Sequence, residues 1–251
     1  MIFKIFEEWK GYAINMGSHV IDRGSFFVSY NNHLNFSCDH SNNIISIEND
    51  VNCWQVFGIT SIVPVQKYII MEKKYAIAQN VNIKKASLMV LSKSDFVPSK
   101  SVDKRCSIVE EISYNDIYSF VDVVFDAFNY DRRNFSDSLA AYQVGYKSGM
   151  VHYYGLYLNG NIVSAVMVHR NIEGWLFGLE LVSTRKQFQR KGYSKLLLEL
   201  VLDSIFKEKG EIVWLFSIEN SIAENIYKKL GFDEYGKILI SNCYTNIGNN
   251  K

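Results

Sequence analysis

The segment Gln189-Arg190-Lys191-Gly192-Tyr193-Ser194 places three polar or basic side chains directly before a glycine, where a long helix is expected to start. Backbone N–H groups in the first turn of a helix have no internal partner and point outward along its axis. The helix dipole adds partial positive charge at the same place. Gly192 lets the backbone come close to a ligand, and Ser194 is small and carries a hydroxyl donor. Gln189, Arg190 and Lys191 supply further donors and charge. Diphosphate binding is the chemistry this arrangement serves. The same residues also meet the ordinary needs of a helix start. The GxxxxGK[ST] spacing of a phosphate loop is absent, and only one of the three glycines of a dinucleotide fingerprint is present.

These residues need elements to hold them. An apolar strand, Trp175 to Ser183, leads into the polar turn Thr184–Lys191. The helix that follows, 191 to 209, carries Leu197, Val201 and Ile205 on one face and ends at Gly210. Glu211 to Ser217 is nearly all apolar, as a buried central strand should be. Ser221-Ile222-Ala223-Glu224 reads as a capping box that opens one more helix, closing at Leu230-Gly231. The last strands are expected within Phe232 to Asn242. Upstream, Cys106 to Ile112 reads as a strand. Ser113 is expected to cap a helix reaching Phe128, and a second helix spans Ser136 to Lys147. Val151–Leu158 and Ile162–His169 flank Asn159-Gly160, a strong hairpin signal.

Residues 1 to about 100 have a different texture, rich in Asn, Ser and β-branched or aromatic residues. Short strands are expected at Ser25–Tyr30, Asn43–Ile47, Lys67–Ile70, Tyr75–Ala78 and Ala86–Leu91. Val51–Ile59 is the one helix candidate there. The polar stretch Ser92–Ser101 reads as a domain junction. The organisation expected is therefore a smaller mixed or β-rich domain at 1–100 and an α/β domain with a mixed sheet at 105–251.

The totals exclude several classes. The 251 residues are 48% hydrophobic and 21% charged, with two prolines, which fits an ordinary globular protein. A net charge of +1 gives no broad field for nucleic acid or a membrane surface. Cys38, Cys53, Cys106 and Cys243 are scattered and show no metal-ligand spacing, so they read as small buried thiols in a reducing compartment. No metal site is expected. Glu7 and Glu8 interrupt the apolar start where a signal peptide would continue, and no stretch is long enough to span a bilayer. A cytoplasmic location is expected.

Two segments together carry a family resemblance. Val182-Ser183-Thr184-Arg185-Lys186-Gln187-Phe188-Gln189-Arg190-Lys191-Gly192-Tyr193-Ser194 resembles the acetyl-CoA motif Q/R-x-x-G-x-G/A of the GNAT N-acetyltransferases. Asn220-Ser221-Ile222-Ala223-Glu224-Asn225-Ile226-Tyr227-Lys228-Lys229-Leu230-Gly231-Phe232 is similar to the second signature of that family, N-x-x-A-x-x-x-Y-x-x-x-G-F. They fall on successive helices in the right order, and the resemblance covers roughly residues 106 to 240. There are two departures. Ser194 stands where Gly or Ala is usual, and Arg185-Lys186 replaces a Pro-acidic pair, which would make the entrance more basic.

The resemblance implies a GNAT acyl-CoA N-acyltransferase fold. The amino-terminal domain is compatible with a degenerate, GNAT-like copy that lacks the cofactor loop. Acetyl-CoA is the implied cosubstrate, and the implied reaction is direct acetyl transfer to a primary amine. Leu181, Val182 and Ser183 would splay from the neighbouring strand and pair with the pantetheine arm. Gln189, Arg190, Lys191, Gly192, Tyr193 and Ser194 would hold the pyrophosphate. Asn220 would contact the arm, and as a bare residue it also reads as an N-cap. Tyr227 would be the general acid that protonates the departing thiolate, or else a helix-face aromatic packed beside Ala223 and Leu230. Glu180 would be the general base, or else a solvent-facing residue of an alternating strand.

The acceptor would be lined by Phe128–Arg133 with Tyr153 and Tyr154. His152 and His169 read as strand-surface residues. The expected partner is a small-molecule or peptide amine. Nucleic acid and membrane are not expected partners, and a homodimer is allowed for. Two rivals remain, a non-catalytic acyl-CoA sensor and an acetyltransferase acting on aminoacyl-tRNA.

Overall fold

The structure is a computed structural model. It describes residues 19–22, 26–30, 35–39, 44–48, 54–59, 82–98 and 108–243, together with Lys4, Ile5 and Glu8, which are helical. The expected strands Lys67–Ile70 and Tyr75–Ala78 lie outside the described residues. So do Cys53, Cys106 and the side chains of Cys38 and Cys243. The chain divides into two compact units, one of residues 1–17 and 89–234 and the other of residues 18–88 and 235–251.

The second unit holds β1 (His19–Asp22), β2 (Phe26–Tyr30), β3 (Asn35–Asp39), β4 (Ile44–Glu48) and β5 (Trp54–Ile59). Its strands β1, β2, β5 and the end of β12 (Asp233–Cys243) pair antiparallel in that order, and β3 pairs with β4. The helix expected over Val51–Ile59 is corrected here: Trp54–Ile59 is a strand. Trp54, Val56, Phe57 and Ile59 favour a pleated strand, and β5 has a ladder on both sides.

The first unit is built on a mixed sheet in the order β6 (Asn82–Ser92), β11 (Ile212–Ile218), β10 (Leu176–Thr184), β9 (Asn161–Arg170), β8 (Val151–Leu158) and β7 (Ile108–Glu111). β10 and β11 run parallel, and β7 through β10 are antiparallel. Asn159 and Gly160 take φ of 50° and 76° and turn the β8–β9 hairpin, as Asn-Gly does where both positions need positive φ. Every residue of β9 but its two ends is buried, which explains its continuous apolar run.

Among the described residues, four complete helices pack on this sheet. α1 (Ile117–Phe128) turns Ile117, Phe120, Val121, Val124 and Phe125 inward and stops at Asn129, whose φ is 57°. α2 (Phe135–Lys147) packs Leu139, Tyr142 and Tyr146 against the same cluster, together with Tyr153, Ala165 and Met167. The other sheet face receives α3 (Tyr193–Glu208) and α4 (Ile222–Lys229). There Leu197, Leu198, Val201 and Leu202 meet Val166, Val168, Leu179 and Leu215. Each such side chain contributes about 1.5–3 kcal/mol on burial. Phe96, within the stretch that reads as polar, packs on Phe206 at 5.1 Å. No described helix is long and apolar enough to cross a membrane.

Candidate active site

Strand β10 changes character halfway along. Leu176–Leu179 pair with Ile212–Leu215 on one side and with β9 on the other. Beyond Leu179 and Leu215 the two parallel strands form no further ladder pairs. The β9 ladder shifts register between Glu180 and Ser183, and Leu181 takes φ +52°, a conformation that L-residues avoid. Pairing with β9 resumes at Ser183 and Thr184. It is fastened by the buried Ser164, whose Oγ donates to the Ser183 carbonyl at 2.7 Å and lies 2.8 Å from Thr184 Oγ1. The ends of β10 and β11 therefore stand apart, with the main chain of Leu181, Val182 and Ser183 along one side of the gap.

The turn after β10 is anchored by α1. Asp122, Asp126 and Asn129 follow at helical spacing and reach the two basic residues that open the turn. Asp122 accepts from Arg185 at 2.7 Å and from Arg132 at 2.6 Å. Asp126 accepts from the Lys186 N–H at 2.8 Å, and Asn129 Oδ1 accepts from Lys186 Nζ at 2.8 Å. Burial raises the pKa of Asp122, but the hydrogen bonds and charges of Arg132 and Arg185 outweigh it and hold the carboxyl below its ordinary value. The expectation that Arg185-Lys186 makes the entrance more basic is thus corrected: α1 engages both side chains.

Gln189 is also used locally, donating from Nε2 to the Thr184 carbonyl at 3.0 Å. Arg190 and Lys191 are exposed, and Lys191 Nζ lies 5.3 Å from the Phe188 ring centroid. Arg190 takes φ +60° and Gly192 φ +84°. A Cβ on Gly192 would meet nothing within 4 Å, so the glycine is required for its backbone angle. Gly192 is the N-cap of α3. No side chain caps that helix, and no acidic residue occupies its first turn. Its leading N–H groups, around Tyr193 and Ser194, remain open to an anion. These residues suit a diphosphate.

Glu180 stands at the fork. The residue is partly buried, but its Oε1 is enclosed without a hydrogen-bond partner. Burial pushes its carboxyl up to about 7; His169 pulls it down and Glu8 pushes it further up. Across the gap, Tyr227 is buried in α4 and packs edge-on to Phe232 at 6.0 Å. Burial raises its phenol pKa, and the charge of Glu180 raises it further. Asn220 is not the N-cap of α4. It has φ +58°, and Ser221 is the cap, its Oγ accepting from the Glu224 N–H at 3.1 Å. The Glu224 carboxylate accepts from the Asn220 N–H at 2.7 Å, one residue further back than the usual reciprocal bond.

Two further expectations are corrected. His169 is not a surface residue: it is 1% exposed, with Nδ1 2.6 Å from Glu8 Oε1. An otherwise apolar strand hid a polar residue with a buried partner far away in sequence. Tyr153 does not line an acceptor cavity. It is fully buried, and its hydroxyl donates to the Tyr142 carbonyl at 2.8 Å. Tyr154 is partly buried, and burial, with Glu111 and Glu208, pushes its phenol up to about 12. His152 lies 2.7 Å from Glu111. In the Phe128–Arg133 loop, Asp131 pairs with Arg133 and Phe128 stacks on Tyr130.

Glu8, Trp214 and Gly178 escaped the sequence reading. Only Gly178 left a signal, since a glycine inside a central strand marks close approach. No described group of three His, Cys, Asp or Glu residues gathers as a metal site.

A family model described as FR47-like protein matches residues 153–241. A GCN5-related N-acetyltransferase from Kribbella flavida is 12% identical, covering 98% of this chain and 96% of that one with a TM-score of 0.57. Another, from Sphaerobacter thermophilus, is 11% identical over 99% of this chain and 87% of that one, with a TM-score of 0.55. A Drosophila protein is 14% identical with a TM-score of 0.52; the match covers 72% of this chain but only 58% of that protein. At these identities the likeness is one of fold. No curated protein matches the sequence.

Proposed function

We propose, from the FR47-like match over residues 153–241 and the N-acetyltransferase-like fold, that the protein transfers the acetyl group of acetyl-CoA to a primary amine. The observation that carries this reading is one juxtaposition. A buried carboxylate with a near-neutral pKa sits where β10 parts from β11, and the same strand leads into an uncapped basic helix start.

The cosubstrate supplies an activated acyl thioester, and the remaining tasks fall to the chain. The open edge at Leu181, Val182 and Ser183 receives the pantetheine arm as an added strand would. The first-turn amides of α3, with Arg190 and Lys191, hold the diphosphate. Asn220, in the turn between β11 and α4, would contact the arm. Glu180 in its ionised form takes the proton that the amine loses as its nitrogen bonds to the acyl carbon. The carbon–sulfur bond then breaks, and Tyr227 returns a proton to the sulfur. An amide near Val182 stabilises the developing oxyanion.

The two proton steps are coupled. Ionised Glu180 raises the Tyr227 phenol, so once Glu180 has taken its proton that contribution disappears. Tyr227 becomes the better acid as the thiolate departs. Scattered thiols and the absence of a described spanning helix fit a cytoplasmic enzyme with a small-molecule or peptide amine as acceptor.

The test is purified protein with acetyl-CoA and a panel of amines, following thiol release and acetylated product together. Amine-dependent release that falls in Glu180→Gln and Tyr227→Phe is the expected result. Release that ignores the amine and both substitutions would instead indicate a non-catalytic acyl-CoA binder.

A further inference from the structure

His169 on β9, Gly178 on β10 and Trp214 on β11 are neighbours across three strands, Gly178 pairing with each of the other two. Gly178 forms a notch for them. A Cβ there would lie 2.2 Å from His169 Cε1, 2.3 Å from His169 Nε2 and 2.8 Å from Trp214 Cζ2. The two rings meet edge-on at 5.1 Å within that space. Glu8, from the amino-terminal helical segment of the same compact unit, closes the cluster. Its Oε1 is 2.6 Å from His169 Nδ1, and its Oε2 accepts from Trp214 Nε1 at 3.0 Å. The side chains of His169 and Glu8 are 1% and 5% exposed.

Glu180 lies two residues beyond Gly178, and the register shift comes only after it. Its side chain therefore leaves the sheet on the same face as the notch. Glu180 pairs with Met167 and Gly178 with His169, so Glu180 and His169 are diagonal neighbours. Among the described residues, the cluster on this face brings together the carboxylates of Glu8 and Glu180 and the imidazole of His169. Charged groups on the helices packed against β10 are engaged elsewhere. On α1, Asp122 and Asp126 bind Arg132, Arg185 and Lys186; on α3, Lys195 pairs with Glu199. Tyr227 on α4 feels the charge of Glu180, which raises its phenol.

We propose that Glu8 and His169 are positioning residues for Glu180, a buried pair whose charge balance decides when Glu180 is free to accept a proton. The proposal rests on the acetyl-transfer reading for its consequence, though not for its test. The negative charge of Glu8 opposes ionisation of Glu180, and His169, when protonated, favours it. Trp214 and the Gly178 notch hold the pair in register. Changing one member at a time should therefore move Glu180 in opposite directions, which loss of packing alone would not do.

The experiment is a carboxyl-carbon NMR titration of the whole chain labelled at glutamate, with Glu180→Gln assigning the Glu180 resonance. His169→Gln is expected to move the Glu180 midpoint up by at least about half a pH unit, because the imidazole that offsets the charge of Glu8 is then gone. Glu8→Gln, nearly isosteric, is expected to move it down, because the charge that opposes ionisation of Glu180 is then gone. Gly178→Ala displaces the imidazole without changing any charge and should act like His169→Gln. If His169→Gln does not fold, Glu8→Gln alone decides: an unmoved or upward-shifted midpoint overturns the proposal. Shifts of the same sign in Glu8→Gln and His169→Gln overturn it as well. The titration needs no turnover, so an inactive protein with the expected shifts would sink the acetyl-transfer reading and leave the pair standing.

Discussion

The parallel neighbours β10 and β11 each lead into a helix, and the two joins solve the same problem in opposite ways. The β11–α4 join is closed. Ser221 caps the helix, Glu224 reaches back to the Asn220 amide, and Lys228 sits 3.2 Å from Glu224 on the following turn. It uses one positive-φ residue, Asn220. The β10–α3 join uses three, Leu181, Arg190 and Gly192, and leaves its helix uncapped. It also carries a carboxylate oxygen enclosed without a partner, and its tether to the fold comes from another helix, α1. Backbone strain and unsatisfied polar groups cost stability, so a join that accumulates both is held there by its surroundings. On the acetyl-transfer reading, the open join is the one that would receive the ligand, while the closed join serves the fold.

The strongest way to break that comparison is at Glu180. Glu180→Gln is expected to lower kcat/KM for amine acetylation by about 10²–10⁴. The parent should show an acidic limb near pH 7, with rate rising as Glu180 ionises, and the variant should lose it. Stability should respond the other way. The folded pKa lies above the ordinary 4.5, so the folded state holds the extra proton between about 4.5 and 7. Stability is therefore fully present below that window and is lost as pH rises through it. At pH 8 the Gln variant should be more stable than the parent by about 2 kcal/mol in denaturant unfolding, with the difference gone near pH 4. A variant equally stable and equally active at both values would remove Glu180 from the site.

Gly192 tests the backbone of the same join. Its φ of +84° is one L-residues avoid, and no atom lies within 4 Å of a Cβ placed there. Gly192→Ala should cost about 1–2 kcal/mol, all of it conformational. The helix start would relax away from its present aim, and KM for acetyl-CoA should rise roughly tenfold, about 1.4 kcal/mol of binding. Retained affinity with lowered stability would show that the angle serves the fold alone.

Asp122 tests the tether. Its carboxyl is held below its ordinary value, so its contribution is present above the unfolded pKa of about 3.8 and lost as pH falls further. Asp122→Asn removes the charge that Arg132 and Arg185 share and should cost about 1 kcal/mol at pH 7, given its partial exposure. Below pH 3 the difference from the parent should shrink, which thermal unfolding at both values would reveal. An equal loss at both values would mean that shape, not charge, holds the turn.

The contrast also explains what could be read in advance. The long periodic elements were legible: Leu197, Val201 and Ile205 mark α3, and Asn159-Gly160 fixes the β8–β9 hairpin. Gly192 and Ser221 announce the two helix starts because both are local devices. The partners of Arg185 and His169 were not legible. Asp122 stands 63 residues from Arg185, and Glu8 stands 161 from His169. Burial of a polar side chain is decided by such distant partners and leaves no periodic trace. Tyr153 misled for the same reason, since its hydroxyl is satisfied by a carbonyl on α2. Trp54–Ile59 was ambiguous because a short apolar run suits either element, and pairing with β2 and β12 decided it.

The smallest expected effect lies in the closed join. Ser221→Ala removes the side chain that accepts from the Glu224 N–H and should cost about 1 kcal/mol of stability. The Glu224 carboxylate bond to the Asn220 amide survives, so α4 should shed only part of its first turn. Because that join satisfies itself, the loss should appear in the unfolding midpoint and leave KM for acetyl-CoA unchanged. The same substitution therefore measures how independent the two joins are. A rise in KM to match that of Gly192→Ala would mean that the cap also positions Asn220 for the ligand, and that the closed join belongs to the site after all.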